Sequence, residues 1–170
     1  MTQSIKKMTF LSLMLALMII LVLIERMLPP WPFLPPQFGR IGLANVVVMY
    51  TLFFIGKKEA VVMAFLKALF SVVMRGPMAG LLSLAGGQLS ILIIIMLSWV
   101  FKKEKPYAAL SVGGAIGHNI GQLAVAGLIL QSVNLVIFYF PILLIAGAVF
   151  GTATGILLKV VMPAFKSVFK

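Results

Sequence analysis

Hydrophobic residues in this sequence form six long stretches, which are separated by charged residues, prolines or turn residues. These stretches cover about 8–28, 41–55, 60–74, 80–101, 107–130 and 136–162. A helix rises ~1.5 Å per residue, so about 20 apolar residues cross a hydrocarbon core ~30 Å thick. The second stretch is short by this measure, whereas the fifth and sixth are long enough. The pattern predicts an all-α integral membrane protein with six transmembrane helices.

The composition also indicates a membrane protein. Of the 170 residues, 62% are hydrophobic and 10% are charged, and the mean hydropathy is +1.19. A water-soluble domain of this composition would be covered in apolar surface. The connections between the stretches are too short to hold a soluble domain, so we expect residues 1–170 to form one membrane domain. Lys6 and Lys7 precede the first stretch, but no small-residue cleavage site follows it, so we interpret it as a span and not as a signal peptide.

The net charge of +11 is distributed unevenly between the two ends of the predicted spans. Lysines cluster at alternate ends, which is the pattern expected when positive charge marks the cytoplasmic side of a membrane. These lysines are Lys6, Lys7, Lys57, Lys58, Lys102, Lys103, Lys105, Lys159, Lys166 and Lys170. The distribution predicts cytoplasmic N and C termini, and it explains the basic character without a nucleic acid partner.

The arginines Arg26, Arg40 and Arg75 fall at the opposite, outer ends of the spans. A guanidinium group presents a planar fork of donors that suits a carboxylate or a phosphate. One interpretation is that these arginines attract an anionic ligand from outside. The alternative is that Arg26 pairs with Glu25 while the other two bind lipid headgroups.

The longest connection, "MLPPWPFLPPQFGR", joins the first two spans and is rich in proline. Proline favours a stiff, extended backbone over a helix. Trp31, Phe33 and Phe38 in this loop suit a membrane interface. We predict that residues of about 29–40, with Trp31 and Phe33, form a lid over an outward-facing cavity, and an aromatic interfacial anchor is the alternative.

Polar side chains inside the spans are expensive in hydrocarbon and normally face the interior of a helix bundle. They are Asn45, Lys67, Ser71, Ser83, Gln88, Ser90, His118, Asn119 and Gln122. Lys67, Ser71 and Arg75 follow one another at about one helical turn, so they share a face that leads outward from mid-membrane. We expect Lys67 to face inward, because it lies about two turns from Lys58 and thus too deep to reach the cytoplasmic surface easily.

Glycines recur at every fourth position in the fifth and sixth spans, where they form flat stripes that allow close helix contact. The stripes comprise Gly113, Gly117 and Gly121 in one span and Gly147, Gly151 and Gly155 in the other. We expect these two stripes to pack against each other. In the fourth span, the pair Gly86 and Gly87 indicates either a helix break at a substrate site or a tight helix crossing.

The only histidine, His118, lies beside the first glycine stripe, and Gln122 follows it one turn later. Their face of the helix also carries Ser111 and Ala115, and we interpret it as a ligand-facing surface. For His118 and Asn119, a structural hydrogen bond between helices is an equally weighted alternative.

Catalytic and metal sites are not expected. There is no cysteine and no aspartate, and the single histidine is accompanied only by Glu25, Glu59 and Glu104, all of which lie near the membrane edges. Such a set offers no convincing metal centre. We find no Ser-His-acid triad and no phosphate-binding loop of the ATPase type. The sequence therefore predicts a protein that is not an enzyme and that needs no cofactor.

Three segments carry a resemblance to a known family. "GLANVVVMYTLFFIGKKEAVVMAFLKALF", "LLSLAGGQLSIL" and "GAIGHNIGQLAVA" resemble the bacterial Gx transporter family, which is also described as heptaprenyl diphosphate synthase component I. That family is similar to the S components of energy-coupling factor (ECF) transporters. The resemblance implies an S-component-like bundle of six helices in the bacterial cytoplasmic membrane, with a ligand beneath the first long loop.

The same resemblance implies partner proteins. S components act with a transmembrane T subunit and two ATPase subunits, and they contact the T subunit through a small-xxx-small stripe on the first helix. Ser12 and Ala16 have this spacing. The family's other description implies a soluble prenyl diphosphate synthase as partner. Prenyl elongation needs aspartates that hold magnesium against a diphosphate, so a chain without aspartate can only be an accessory subunit there.

Two functions follow from these observations. The first is a substrate-binding membrane subunit for uptake of a small, anionic, vitamin- or cofactor-like solute, energised by separate T and ATPase subunits. The second is a non-catalytic membrane accessory subunit of heptaprenyl diphosphate or menaquinone synthesis. The predicted substrate-binding residues are Arg40, Asn45, Lys67, Arg75, Gln88, His118, Asn119 and Gln122.

Overall fold

The computed structural model describes residues 3–28, 42–101 and 106–166, and within these ranges the chain forms six helices and no strand. The helices are α1 (Gln3–Met27), α2 (Leu43–Phe54), α3 (Lys57–Arg75), α4 (Pro77–Val100), α5 (Tyr107–Leu130) and α6 (Val133–Lys166). The prediction of an all-α protein with six helices is therefore confirmed. The predicted lid of residues 29–40 lies outside the described residues.

Four of these helices, α1, α4, α5 and α6, are long and apolar enough to cross a membrane, as expected for a membrane protein. The helices α2 and α3 do not meet this criterion, each for its own reason. α2 has only 12 residues, or ~18 Å at ~1.5 Å per residue. α3 has 19 residues but carries five charged ones, namely Lys57, Lys58, Glu59, Lys67 and Arg75.

Consecutive helices run in opposite directions because most of the connections are very short. Gly76 alone separates α3 from α4, and its φ of 87° is a backbone conformation that glycine adopts without steric cost. Pro77 then begins α4, where the missing N–H is not needed. One end of the bundle carries the N termini of α1, α3 and α5, and we call it the lysine end. The opposite end is where α1 and α3 finish and α2 and α4 begin. We call it the cavity end, because a polar cavity lies inside the bundle toward it.

Specific contacts join the helices at the lysine end. Lys7 on α1 forms an ion pair with Glu59 in the first turn of α3. Lys57 lies over the ring of Trp99, 5.6 Å from its centroid, and so joins the start of α3 to the end of α4. These contacts fix the relative positions of α1, α3 and α4 at the end opposite the cavity.

The α5 glycine stripe packs against α4. A Cβ added to Gly121 would lie 2.7 Å from the carbonyl oxygen of Ala85, and one added to Gly117 would lie 2.6 Å from the side chain of Ile93. Gly113 likewise meets Leu97 of α4. The glycines therefore allow close helix contact, as expected, but with the preceding helix.

The α6 glycine stripe packs against a different face of α5. A Cβ on Gly151 would lie 2.6 Å from Cα of Val112, and one on Gly155 would lie 2.8 Å from Cα of Ala108. Gly147 approaches Ile116 and Asn119 in the same way. The prediction that the two stripes pack on each other is wrong, because α5 lies between α4 and α6 and uses a separate face for each.

The helix α4 continues without interruption through Gly86 and Gly87. Of the two interpretations of this pair, the tight crossing fits and the helix break does not. Gly86 faces α5, where a Cβ would lie 2.8 Å from the carbonyl oxygen of His118, and Gly87 faces Ala64 of α3 at 3.3 Å. The two glycines thus let α4 approach α5 and α3 at the same level.

We expect Gly121→Ala to lower the free energy of unfolding by about 1–3 kcal/mol, because its methyl group would meet backbone atoms of α4 that cannot rotate away. Gly87→Ala is the matched control, since its methyl group meets only the side chain of Ala64 and alanine favours a helix. Unfolding of the purified protein in detergent measures both. Equal stability of the two variants would contradict the packing described here.

Candidate functional site

A polar cavity lies inside the bundle toward the cavity end and is lined by all six helices. The space that the centre of a water molecule can occupy there is about 60 Å³, which is enough for several waters because one needs ~10–15 Å³. The polar lining residues are Glu25, Asn45, Lys67, Ser71, Arg75, Ser83, His118, Asn119 and Gln122. A cavity so rich in polar groups inside an apolar bundle is a candidate ligand site.

The side of the cavity formed by α2 and α3 contains a buried lysine. Lys67 is 8% exposed, and its Nζ donates a hydrogen bond of 2.6 Å to Oδ1 of Asn45 on α2. Lys67 therefore faces the bundle interior, in agreement with the sequence. Ser71 and Arg75 follow it along α3 and also line the cavity. The predicted polar face of α3 is thus directed into the cavity.

Glu25 of α1 also lines the cavity, although it was not among the predicted site residues. It is 7% exposed, and one of its carboxylate oxygens accepts a hydrogen bond from the N–H of Gly42 at the start of α2. Arg26, its neighbour in sequence, is exposed. The alternative that Arg26 pairs with Glu25 is therefore not supported, because the carboxylate binds the N–H of Gly42 in the interior while Arg26 is exposed.

The opposite wall of the cavity is formed by α4 and α5 and carries no charged residue. The Oγ of Ser83 is buried and has no hydrogen-bond partner among the described residues, whereas the Nδ1 of His118 is buried against Gly86 of α4. Gln122, one turn after His118, is 8% exposed and faces the same space. This wall therefore contributes uncharged polar side chains to the cavity lining.

Asn119 makes the structural hydrogen bond between helices that was the alternative to a ligand contact. Its Nδ2 donates a hydrogen bond of 2.8 Å to the carbonyl oxygen of Leu143 on α6. This bond joins α5 to α6 although Asn119 also touches the cavity. His118 instead packs its ring on Gly86 of α4, so the two adjacent residues, which the sequence treats alike, have different environments.

The position of the His118 side chain depends on Gly86. A Cβ at Gly86 would lie 2.7 Å from Nδ1 and 2.8 Å from Cε1 of His118. Any larger residue at this position would displace the imidazole ring. The close α4–α5 crossing therefore packs the helices and also holds the ring at the cavity wall.

The structure brings together six of the eight predicted site residues, and these are Asn45, Lys67, Arg75, His118, Asn119 and Gln122. Gln88 is half-buried on α4 and is not among the residues that line the cavity. Arg40 and the lid residues Trp31 and Phe33 lie outside the described residues. Binding of a ligand by any of these residues stays a prediction.

Three polar residues of the cavity, Glu25, Ser71 and Ser83, are not among the predicted site residues. Ser71 and Ser83 were recognised as polar residues within spans but were not assigned to the site. Glu25 was missed because its position next to Arg26, at the end of the first apolar stretch, indicated a membrane edge. It continues the line of Met14, Met18 and Val22 at intervals of three or four residues, but only the structure shows that this line is buried.

A smaller cavity of about 10 Å³ lies on the lysine-end side of the first one, and Asn45 and Lys67 line both. Its other lining residues are mostly apolar, with Ser90 as an exception. The hydrogen-bonded pair of Lys67 and Asn45 therefore separates the two spaces. In the parts of the chain that the structure describes, no group of three or more His, Cys, Asp or Glu residues could hold a metal ion.

Ser12 and Ala16, the predicted partner-coupling residues, are both exposed on the outer side of α1. The hydroxyl of Ser12 donates to the carbonyl oxygen of Met8 within the same helix. This hydrogen bond satisfies the polar group locally and leaves a small, smooth surface. Contact with a partner at this surface stays a prediction.

The described helices form a bundle with a polar internal cavity, and four of them are long and apolar enough to cross a membrane. The sequence model of the family described as heptaprenyl diphosphate synthase component I matches residues 14–161, and the chain belongs to this family. The match includes every described residue of the cavity. No curated protein and no solved structure matches the chain.

We expect Asn45→Ala to lower the free energy of unfolding by about 1–3 kcal/mol, because Lys67 would lose the partner of its buried ammonium group. Replacing both residues, as Asn45→Ala with Lys67→Met, should recover part of this loss. A double-mutant cycle of unfolding in detergent measures the coupling. Strictly additive effects would show that the hydrogen bond contributes nothing.

Proposed function

We propose that this chain is the substrate-binding membrane subunit of an uptake system and that it holds a small anionic solute in the cavity. The observation that carries this proposal is the cavity itself, which is lined by polar residues from helices that are otherwise apolar. Nothing in its lining resembles the carboxylate and metal machinery of prenyl transfer. Its chemistry is suited to binding.

The charge of the described lining residues favours an anion. Lys67 and Arg75 contribute two positive charges, and Glu25 contributes one negative charge, which leaves one formal positive charge. Arg75 offers a planar donor fork at the cavity end, while Lys67 lies deeper as a point charge. We assign the anionic group of the solute to these two residues.

The arrangement of lysines supports a direction for uptake. The described lysines Lys6, Lys7, Lys57, Lys58 and Lys159 lie toward one end of the bundle, which by the positive-inside rule is the cytoplasmic end. The cavity then lies toward the outer face, beneath the predicted lid. We place the chain in the bacterial cytoplasmic membrane with both termini inside the cell.

The proposal requires partner subunits, because the sequence contains no ATP-binding loop. We infer a T subunit and ATPase subunits of the ECF type. The exposed surface of α1 around Ser12 and Ala16 is the proposed contact with the T subunit. Small residues at this spacing allow another helix to approach closely.

We expect Arg75→Gln to weaken binding of the anionic solute roughly 10- to 150-fold, because a hydrogen bond to a charged group is worth about 1.5–3 kcal/mol. Arg26→Gln is the matched control, since Arg26 is exposed at the same end of the bundle. Binding to protein in nanodiscs and uptake by cells measure both variants. If the two variants behave alike, the cavity is not the binding site.

The second candidate function is a membrane accessory subunit for prenyl diphosphate synthesis, and the description of the family favours it. In this case, Lys67 and Arg75 would hold a diphosphate headgroup. The structure adds an apolar groove of about 200 Å³ between α1, α2 and α6, which has room for part of an isoprenoid chain. Its floor includes Val47, Tyr50 and Leu158.

Native mass spectrometry of the protein purified from its own membranes distinguishes the two candidates. Under the uptake proposal, we expect a T subunit, ATPase subunits and a small retained solute. A soluble prenyl synthase or a bound polyprenyl species would instead support the accessory subunit. Deleting the gene should then change the length or amount of the quinone side chain, whatever solute is added to the medium.

A further inference from the structure

Glu25 is the acidic side chain among the described residues of the cavity lining, and it lies there with two cationic residues. It is 7% exposed and lines the same space as Lys67 and Arg75. Removing an ionised group from water costs free energy unless the group is paired and hydrogen-bonded, so buried charges are paired as a rule. The presence of a carboxylate in a cavity that is proposed to bind an anion therefore needs a physical reason.

Glu25 does not pair directly with the buried lysine of the cavity. Among the described residues, the ion pair that forms joins Lys7 and Glu59 at the lysine end. Lys67 donates instead to the neutral side chain of Asn45, although Lys67 and Glu25 lie close enough to interact electrostatically. Two opposite charges thus border one cavity without touching, which leaves space between them for a molecule that carries the complementary charges.

The hydrogen bond from Gly42 does not account for the charge of Glu25. One carboxylate oxygen accepts the N–H of Gly42 where α2 begins. The other oxygen accepts no hydrogen bond from the described residues, and it is not fully enclosed as the Oγ of Ser83 is. A neutral serine or asparagine satisfies a helix N terminus equally well without a buried charge. The carboxylate therefore keeps acceptor capacity for a group within the cavity.

We propose that the solute carries a protonated amine besides its anionic group, and that Glu25 binds this amine. An ammonium group offers three donors and a positive charge, and hydrogen bonds between two charged groups are among the strongest that proteins form. The inference rests on the proposed function, because it assumes that Lys67 and Arg75 hold the anionic group. The solute then spans the cavity from α3 to α1, with an opposite charge at each end.

The test measures binding of matched probes to the full chain in nanodiscs. One series is the straight-chain carboxylates from propionate to hexanoate, with their ω-amino and ω-hydroxy counterparts. A second series replaces the carboxylate with a phosphate monoester, since a guanidinium group suits both anions. At one chain length, we expect the amino probe to bind roughly 10- to 150-fold more tightly than its unsubstituted parent, as a hydrogen bond between charged groups implies. The uncharged hydroxy probe should gain much less.

Glu25→Gln separates a ligand contact from a structural role. The amide oxygen of glutamine can still accept the N–H of Gly42, so the variant removes the charge and keeps the contact with α2. It should abolish the preference for the amine, while the parent anions should bind at least as tightly as before, because a repelling charge is gone. Glu59→Gln is the matched control, since Glu59 lies at the lysine end and does not line the cavity, and it should keep the preference.

The outcomes separate this inference from the function on which it rests. If wild-type protein binds parent and amino probes equally at every length, the inference is overturned and the anion site stands. If Glu25→Gln keeps the preference, or weakens parent and amino probes alike, Glu25 does not bind the amine. If that variant fails to fold, equal binding of the amino and hydroxy probes to wild-type protein overturns the inference. If no probe of either series binds, the anion site is wrong and the proposed function fails with it.

Discussion

Charged and polar groups placed among apolar helices must find their partners inside the bundle, since hydrocarbon offers none. The arrangement of α1, α2 and α3 follows from this constraint. Lys67 reaches Asn45 across the α2–α3 contact, and Glu25 receives the N–H of Gly42 where α2 begins. These pairs hold short α2 between its neighbours at the point where the long first loop ends. The same groups also border the cavity, a space that no side chain of the described residues fills.

The other half of the bundle is built on close backbone contact. Glycines of α5 pack on α4, and glycines of α6 pack on a second face of α5, so that three long helices approach as near as their main chains allow. Two hydrogen bonds between α5 and α6 reinforce this contact, one between the hydroxyls of Ser111 and Thr154 and one from Asn119 to the carbonyl oxygen of Leu143. A rigid wall of this kind can present hydrogen-bonding groups at fixed positions, whereas the α1–α3 side provides the charges. The separation of charged from uncharged groups in the cavity lining thus follows the way in which the helices pack.

Membership of the heptaprenyl diphosphate synthase component I family and the chemistry of the cavity bear on different parts of the functional question. The family description connects the chain with prenyl diphosphate synthesis. The residues limit what the chain can contribute to it, because a sequence without aspartate lacks the usual magnesium ligands of prenyl transfer. Both candidate functions share one physical requirement, which is an anionic group bound at Lys67 and Arg75. The identity of that anion is what separates an uptake subunit from an accessory subunit.

The sequence by itself determined the helical class, the number of helices and most of the polar cavity. Long apolar stretches specify helices whatever their neighbours are, and a polar residue such as Lys67 or Gln122 within them has to turn inward. Only the tertiary structure decided which helices meet. Glycine spacing indicates a surface for close contact but not the helix that packs on it. The stripe of Gly121 contacts α4, whereas the stripe of Gly151 contacts α5. The inward position of Glu25 was decided in the same way, because α1 is apolar all round and only contacts with α2 and α3 choose the face that is buried.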